Sequence, residues 1–158
     1  MNKEDKEFLI KEISNRLPYD VKAQVVGWNE EKGEEVEIPL KVYSINTDGY
    51  VYFEPNDYDV NYLPVDACLL FLRPMSSMTE EEKEELLDEF CVEIRDEDNG
   101  RHKETYGYVI VYHNFNGESW FIPFCAFDWL NAHHFDYRSL IEKGLAIEAT
   151  EENNPYKE

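Results

Sequence analysis

The chain has 158 residues and a formal net charge of −20, from 35 acidic and 15 basic residues, and 42% of its residues are hydrophobic. This length and composition predict one globular domain, and not a disordered chain. The negative charge disfavours direct binding to nucleic acid or to an anionic membrane, because affinity for phosphates comes from Lys and Arg.

The N-terminal sequence MNKEDKEFLIKEI carries charges where a signal peptide needs an apolar run. No segment approaches the roughly 20 apolar residues of a membrane helix. We therefore expect a cytoplasmic location. The three cysteines, Cys68, Cys91 and Cys125, are widely spaced and lie among apolar residues, so each is predicted to be a buried small hydrophobe and not a disulfide or zinc residue.

The first predicted element is a helix. Apolar residues recur at every fourth position from Leu9 to Leu17, which forms one stripe along a helix. Asn2 is the predicted N-cap, and Pro18 is expected to end the helix at about Arg16.

Three strands are predicted next, from VKAQVVGW, EVEIPLKVYSI and GYVYFEP. Turns at Gly33 and at Asp48-Gly49 separate them, because both residue types tolerate positive φ. Pro39 inside the second strand indicates an edge position or a bulge, since proline cannot donate a ladder hydrogen bond.

A Glu-rich helix is predicted after the short apolar strand ACLLFLRP. Thr79 is its N-cap and Glu82 lies three residues further on, which is the pattern of a capping box. Leu86, Leu87 and Phe90 supply an apolar face, so the outer face of this helix is strongly negative.

Residues 91–124 are predicted to form a β-meander, with turns at Asn99-Gly100 and Asn116-Gly117. Two short helices are predicted near 125–133 and 136–143, the second capped by Asp136 and ended by Gly144.

The predicted fold is therefore α+β. It has a mostly antiparallel sheet of about five to seven strands, an N-terminal helix, a Glu-rich middle helix and two short C-terminal helices. We expect residues 1–150 to form a single domain and residues 151–158 to form a flexible acidic tail.

Two adjacent histidines draw attention to residues 128–138, whose candidate functional residues are Trp129, Asn131, His133, His134, Asp136, Tyr137 and Arg138. Adjacent side chains on a helix diverge by about 100°, whereas a zinc-binding helix places its histidines at i and i+4. Motifs for a nucleophile elbow or for phosphate and dinucleotide loops are absent from the sequence. We expect this cluster to be structural, with one histidine buried and the other exposed, and we predict no catalytic residue, metal or cofactor.

Aromatic residues make up 15% of the chain. Most are expected in the core and on strand faces. Trp28 and the tyrosines at 43, 50 and 52 are candidates for an exposed patch that binds a partner, because Trp and Tyr are enriched in protein interfaces.

Three phrases, RLPYDVKAQVVG, LRPMSSMTEEEKEEL and DWLNAHHFDYRSLIEKGLAIEA, together resemble a group of small uncharacterised proteins encoded by phages, prophages and other mobile elements of gut bacteria. The phrases keep the same order and span most of the chain, and residues 92–123 fall outside the resemblance. The resemblance implies an origin in a mobile element and a location in the host cytoplasm. It implies no reaction.

Carboxylates spaced along a surface can imitate the phosphates of DNA. The sequence, taken with the resemblance, predicts a non-enzymatic accessory protein that binds a basic host or phage protein, as an acidic inhibitor of a host nucleic-acid-binding or defence system such as a CRISPR effector. The predicted partner-binding residues are Glu80, Glu81, Glu84, Glu85, Asp88, Asp96, Glu97, Asp98, Asp57 and Asp59. The alternatives are an acidic surface that only aids solubility, a ligand-binding, metal-binding or enzymatic domain using His133, His134 and Asp136, and a phage structural or assembly protein.

Overall fold

The computed structural model describes residues 1–90, 93–96, 108–110 and 118–157. Its regular elements are α1 (Lys3–Arg16), β1 (Lys22–Asn29), β2 (Glu34–Ile45), β3 (Tyr50–Phe53), β4 (Tyr62–Pro64), β5 (Leu69–Pro74), α2 (Glu80–Phe90), β6 (Glu93–Asp96), β7 (Tyr108–Ile110), β8 (Glu118–Pro123), α3 (Ala126–Ala132), β9 (Phe135–Asp136) and β10 (Ala146–Glu148). Helices thus accompany mostly antiparallel sheets, which confirms the α+β class. Among the described residues, no helix is long and apolar enough to cross a membrane.

The chain divides into two compact units. The first contains Met1–Leu72 and Leu140–Glu158, and the second contains Arg73–Ser139. The single domain expected over residues 1–150 stays a prediction.

The first unit is a sheet with strand order β10-β5-β1-β2-β3-β4, antiparallel except for the parallel pair of β10 and β5. Leu9 and Ile13 of α1 belong to the same buried cluster as Val25, Leu40 and Leu70 of the strands. The apolar stripe seen in the sequence is therefore the face by which α1 covers the sheet.

Helix α1 begins and ends at the residues that the sequence predicts. The Asn2 side chain accepts a hydrogen bond from the backbone N–H of Asp5 at 2.7 Å, which satisfies a free donor of the first turn. The helix ends at Arg16, and Leu17–Tyr19 continue as a 3-10 turn that contains Pro18.

Pro39 lies at a local edge although β2 is inside the sheet. The Val42 N–H donates to the Val21 carbonyl at 2.9 Å. Because hydrogen-bonded pairs alternate along an antiparallel ladder, the backbone N–H and C=O groups of odd-numbered β2 residues point away from β1. Pro39 is one of these, and the pairing of β2 with β3 begins only at Val42. The irregularity in that pairing lies between Val42 and Ser44, beyond Pro39.

The C-terminal residues contact the first unit through Pro155 and Tyr156, and the flexible tail expected over residues 151–158 stays a prediction. The Tyr156 hydroxyl accepts from the Lys22 N–H at 3.0 Å and donates to the Phe71 carbonyl at 3.1 Å. The Lys22 ammonium also donates to the Pro155 carbonyl at 2.6 Å. Burial raises the pKa of Tyr156 to about 12, against the opposing effects of the Lys22 backbone and the Arg16 charge.

The second unit contains a three-stranded antiparallel sheet of order β6-β8-β7. The predicted meander would place the second strand in the middle, so this prediction is wrong: β8 is the central strand. The predicted turns at Asn99-Gly100 and Asn116-Gly117 lie outside the described residues. The core of the unit includes Leu86 of α2, Ile122 of β8 and Leu130 of α3.

One of the two predicted C-terminal helices forms. α3 covers Ala126–Ala132, but Phe135 and Asp136 pair in parallel with the end of β5, and turns follow up to Gly144. His134 and Ser139 have φ of 59° and 57°, which a right-handed helix does not allow. Tertiary pairing with β5 therefore overrides the helical pattern of residues 136–143.

Candidate functional site

The outer surface of α2 is acidic. We call its six exposed acids the acidic face; they are Glu80, Glu81, Glu84, Glu85, Asp88 and Glu89. At about 100° per residue they span about 180° of the helix circumference. The buried side of the helix is marked by Leu86, which has no exposed surface.

The first turn of α2 fixes the direction of this face. The Thr79 hydroxyl accepts from the Glu82 N–H at 3.2 Å, and the Glu82 carboxylate accepts from the Thr79 N–H at 2.9 Å, which confirms the predicted capping box. Both Glu82 oxygens also accept from the Arg73 guanidinium, at 2.7 and 2.8 Å. Glu82 is thus committed to structure.

The pKa of Glu82 reflects these contacts. Partial burial alone would raise the pKa, but the hydrogen bonds from Arg73 and from the Thr79 backbone, with the Arg73 and His133 charges, lower it below its ordinary value. Glu82 therefore remains an anion that holds the N-terminus of α2 in place.

Contacts on the inner side hold the helix in the same orientation. The Lys83 ammonium lies 5.9 Å from the centroid of the Trp120 ring, and the Phe90 ring lies 6.4 Å from the Trp129 ring. The Trp129 indole N–H donates to the Glu85 carboxylate at 2.9 Å. Glu85 thus forms the border of the acidic face and supports the core beside it.

The other predicted acidic residues belong to the first unit or have side chains that the structure does not describe. Asp57 and Asp59 are exposed in the β3–β4 loop of the first unit, where the Asn56 side chain accepts from the backbone N–H groups of Tyr58 and Val60. Asp96 is the last residue of β6, and Glu97 and Asp98 lie outside the described residues. The acidic face is therefore defined on α2 alone.

The histidine cluster begins with a stack of rings. The His133 ring lies 3.9 Å from the Trp129 ring, and its Nδ1 is 2.9 Å from the Trp129 carbonyl oxygen. Phe135 stacks on Trp129 at 5.8 Å. The Arg73 guanidinium lies 4.3 Å from the Phe135 ring. His134 is buried, as expected for one of the two histidines, but His133 is half-buried and not exposed.

The remaining cluster residues contact one another. Asn131, Asp136 and Tyr137 are buried, and the Tyr137 hydroxyl donates to the Asn131 side chain at 3.0 Å. The Arg138 N–H donates to the Asp136 carboxylate at 3.4 Å, and the Arg138 guanidinium lies over the Tyr137 ring at 5.5 Å. The contact of Tyr137 with Asn131 joins the residue after β9 to α3. The structural role expected for the cluster stays a prediction.

In the part of the chain that the structure describes, no group of three or more His, Cys, Asp or Glu side chains could hold a metal ion. Cys68 is buried, and burial raises the pKa of its thiol to about 12. Cys125 is exposed, so the prediction that it is a buried hydrophobe is wrong. Cys91 lies outside the described residues.

Several aromatic side chains of the first unit are exposed. The exposed fractions are 55% for Trp28, 71% for Tyr43, 41% for Tyr50 and 57% for Tyr62. Tyr62 was not singled out from the sequence, because only the pairing of β3 with β4 brings its ring to 5.9 Å from Tyr50. Trp28 lies opposite Glu35 and is about 27 Å along β2 from Tyr43, so these aromatics form no single patch.

Comparison with known proteins finds no match: no family model, no curated protein and no solved structure is similar to this chain. The mobile-element origin implied by the three sequence phrases therefore stays a prediction. The geometry of the described residues is therefore the basis for the function proposed below.

Proposed function

We propose that this protein is a non-enzymatic accessory protein of a mobile element, and that it acts by binding a basic protein through the acidic face of α2. More specifically, the protein would be an inhibitor that occupies the nucleic-acid-binding cleft of a host defence protein, such as a CRISPR effector. The support for the proposal is the density and orientation of the exposed carboxylates on α2.

The spacing of these carboxylates resembles that of DNA phosphates. From Glu80 to Glu89 the helix rises about 14 Å, so its six exposed acids give about one negative charge per 2.3 Å of axis. Duplex DNA carries about one charge per 1.7 Å of axis. A cleft that attracts DNA would therefore attract this face, and complementary charge would accelerate the encounter.

The structure also supports a rigid presentation of the face. The capping box and the Arg73–Glu82 ion pair hold the first turn, and Leu86 anchors the helix in the core. A preformed surface loses less conformational entropy on binding than a mobile one.

The test is a pull-down from host lysate on the immobilised chain, with elution by salt, competition by duplex DNA and identification by mass spectrometry. The matched variants have equal net charge. In the first, Glu80, Glu81, Glu84, Asp88 and Glu89 are replaced by Gln or Asn, which spares the structural Glu82 and Glu85. In the control, Glu4, Glu142, Glu148, Glu151 and Glu152 are replaced by Gln; all of these are exposed in the first unit.

We expect a basic nucleic-acid-binding protein to be retained by the native chain and by the control, to be displaced by DNA, and to be lost from the α2 variant. Equal loss from both variants would mean that only net charge matters. Retention by the α2 variant would rule out the acidic face as the binding site.

A further inference from the structure

The β1–β2 hairpin extends beyond the strands beside it. β5 pairs with β1 only at Ala23 and Gln24, and β3 pairs with β2 only from Val42. Among the described residues, 25–40 are thus a two-stranded ribbon, which we call the hairpin arm. Its inner side is covered, because a Cβ on Gly27 would lie 2.8 Å from Ile38 and 3.3 Å from Tyr58.

In the part of the chain that the structure describes, both edges of the arm are unpaired, and the ladder shows which residues face each one. Val42 donates to Val21, so odd-numbered residues of β1 exchange hydrogen bonds with even-numbered residues of β2. Val26 and Trp28 therefore direct their backbone N–H and C=O groups away from β2. Within the described residues no other strand pairs with them.

The edge of β2 has the features that prevent strand pairing. Glu35, Glu37 and Pro39 face this edge, and Pro39 has no N–H to offer. Proline and charged side chains are the usual means by which proteins block open edges.

The edge of β1 has no such protection. The residues that face it, Val26 and Trp28, are uncharged, and their exposed fractions are 54% and 55%. An exposed and apolar edge of this kind is a template for an added strand.

The charge of the arm indicates what would bind there. Its exposed residues include five acids, Glu30, Glu31, Glu34, Glu35 and Glu37, against the single Lys32, so the arm carries a net charge of −4. Glu35 lies directly opposite Trp28, and Glu37 directly opposite Val26. An added strand with alternating basic and apolar side chains would therefore place cations near these carboxylates. A second copy of the chain would bring like charges together.

We propose that the β1 edge of the hairpin arm, at Val26 and Trp28, binds an extended basic segment of a partner protein by strand addition. This surface lies in the first unit and does not depend on the acidic face of α2.

The test uses a synthetic peptide of alternating lysine and valine, about eight residues long, and measures its affinity and the hydrogen exchange of the Val26 and Trp28 amides. One control peptide has the same side chains but N-methyl groups on the amides of its pairing edge. The second control alternates glutamate and valine. In the protein, Val26→Pro removes the edge-facing donor in the manner of Pro39, and Val26→Thr is its matched control.

We expect the lysine–valine peptide to slow exchange of both amides by about tenfold, and the N-methylated peptide to bind about tenfold more weakly, because the backbone hydrogen bonds are lost at equal charge. The glutamate–valine peptide should not bind. Val26→Pro should weaken binding to the same extent, and Val26→Thr should not.

Equal affinity for the N-methylated peptide would overturn the proposal, because binding would then be electrostatic only. Absence of protection at Val26 and Trp28 would also overturn it. Self-association in the absence of peptide, abolished by Val26→Pro, would identify a second copy as the occupant instead. If Val26→Pro does not fold, the lysine–valine peptide and its N-methylated form still show on the native chain whether binding needs the backbone hydrogen bonds.

Discussion

An ion pair between Arg16 and Glu12 is fully buried within α1. The Arg16 guanidinium lies 3.6 Å from the Glu12 carboxylate, and neither side chain has exposed surface. The pair Lys3–Glu7 has the same i,i+4 spacing on the same helix at 3.5 Å, but its side chains are 88% and 67% exposed. These two pairs provide a test of how burial changes the contribution of an ion pair to stability.

Replacing Arg16 by Met removes the cation that lies 3.6 Å from the buried Glu12 carboxylate. Breaking a buried pair in this way costs about 3–5 kcal/mol of unfolding free energy. For a chain of this size that corresponds to a fall in Tm of about 6–20 °C. The double variant Glu12→Leu/Arg16→Met removes both charges, and its stability should lie within about 1 kcal/mol of the native value or above it.

The measurement is urea denaturation of the native chain, both single variants and the double variant, with Glu7→Gln as the exposed control. Glu7→Gln should change the unfolding free energy by less than about 1 kcal/mol. If Arg16→Met costs no more than Glu7→Gln, or if the double variant is less stable than either single variant, the reasoning from burial is wrong.

Three further predictions concern other parts of the fold. Gly33→Ala and Gly49→Ala should each destabilise the protein by about 1 kcal/mol in thermal unfolding, because both glycines have positive φ. A Cβ at Gly49 would meet only the ends of the Lys6 and Ile10 side chains, which can move, so the two costs should be similar. Because the pKa of Glu82 is lowered in the folded state, the stability that Glu82 contributes is present above its ordinary pKa and is lost as pH falls below that value. The stability difference between the native and Glu82→Gln proteins should therefore shrink from about pH 5 to pH 3. A constant difference would refute the role of the Arg73 ion pair. Tyr156→Phe should cost about 1–2 kcal/mol and speed hydrogen exchange at the C-terminus, whereas an unchanged exchange rate would mean that the tail is not anchored by the hydroxyl.

The proposed modes of binding make different demands on a partner. The acidic face of α2 requires a basic cleft and would be sensitive to salt and to competing DNA. The β1 edge requires an extended segment with free backbone amides. Neutralising α2 and substituting Val26→Pro therefore separate the two surfaces experimentally.

Features that depend only on neighbours along the chain could be predicted from the amino-acid sequence. Asn2 caps α1, and Thr79 with Glu82 caps α2, because these hydrogen bonds span only three residues. The hairpin turn at Gly33 could be predicted because glycine readily adopts positive φ. The outward position of the α2 acids could be predicted from the helical spacing of its apolar residues. Local chemistry is sufficient for such features, and these predictions were confirmed.

Features that depend on partners distant in the chain could not be predicted and are set by tertiary contacts. Residues 136–143 have a helical pattern, but β5 offers ladder hydrogen bonds to Phe135 and Asp136, and these prevail. Tyr156 is anchored by the backbone of Lys22 and Phe71, which precede it in the chain by 134 and 85 positions. Among the described residues, the edge at Val26 and Trp28 is open because β5 pairs with β1 only at Ala23 and Gln24. Strand pairing and burial join residues that are distant in sequence, so the spacing of residue types alone does not specify them.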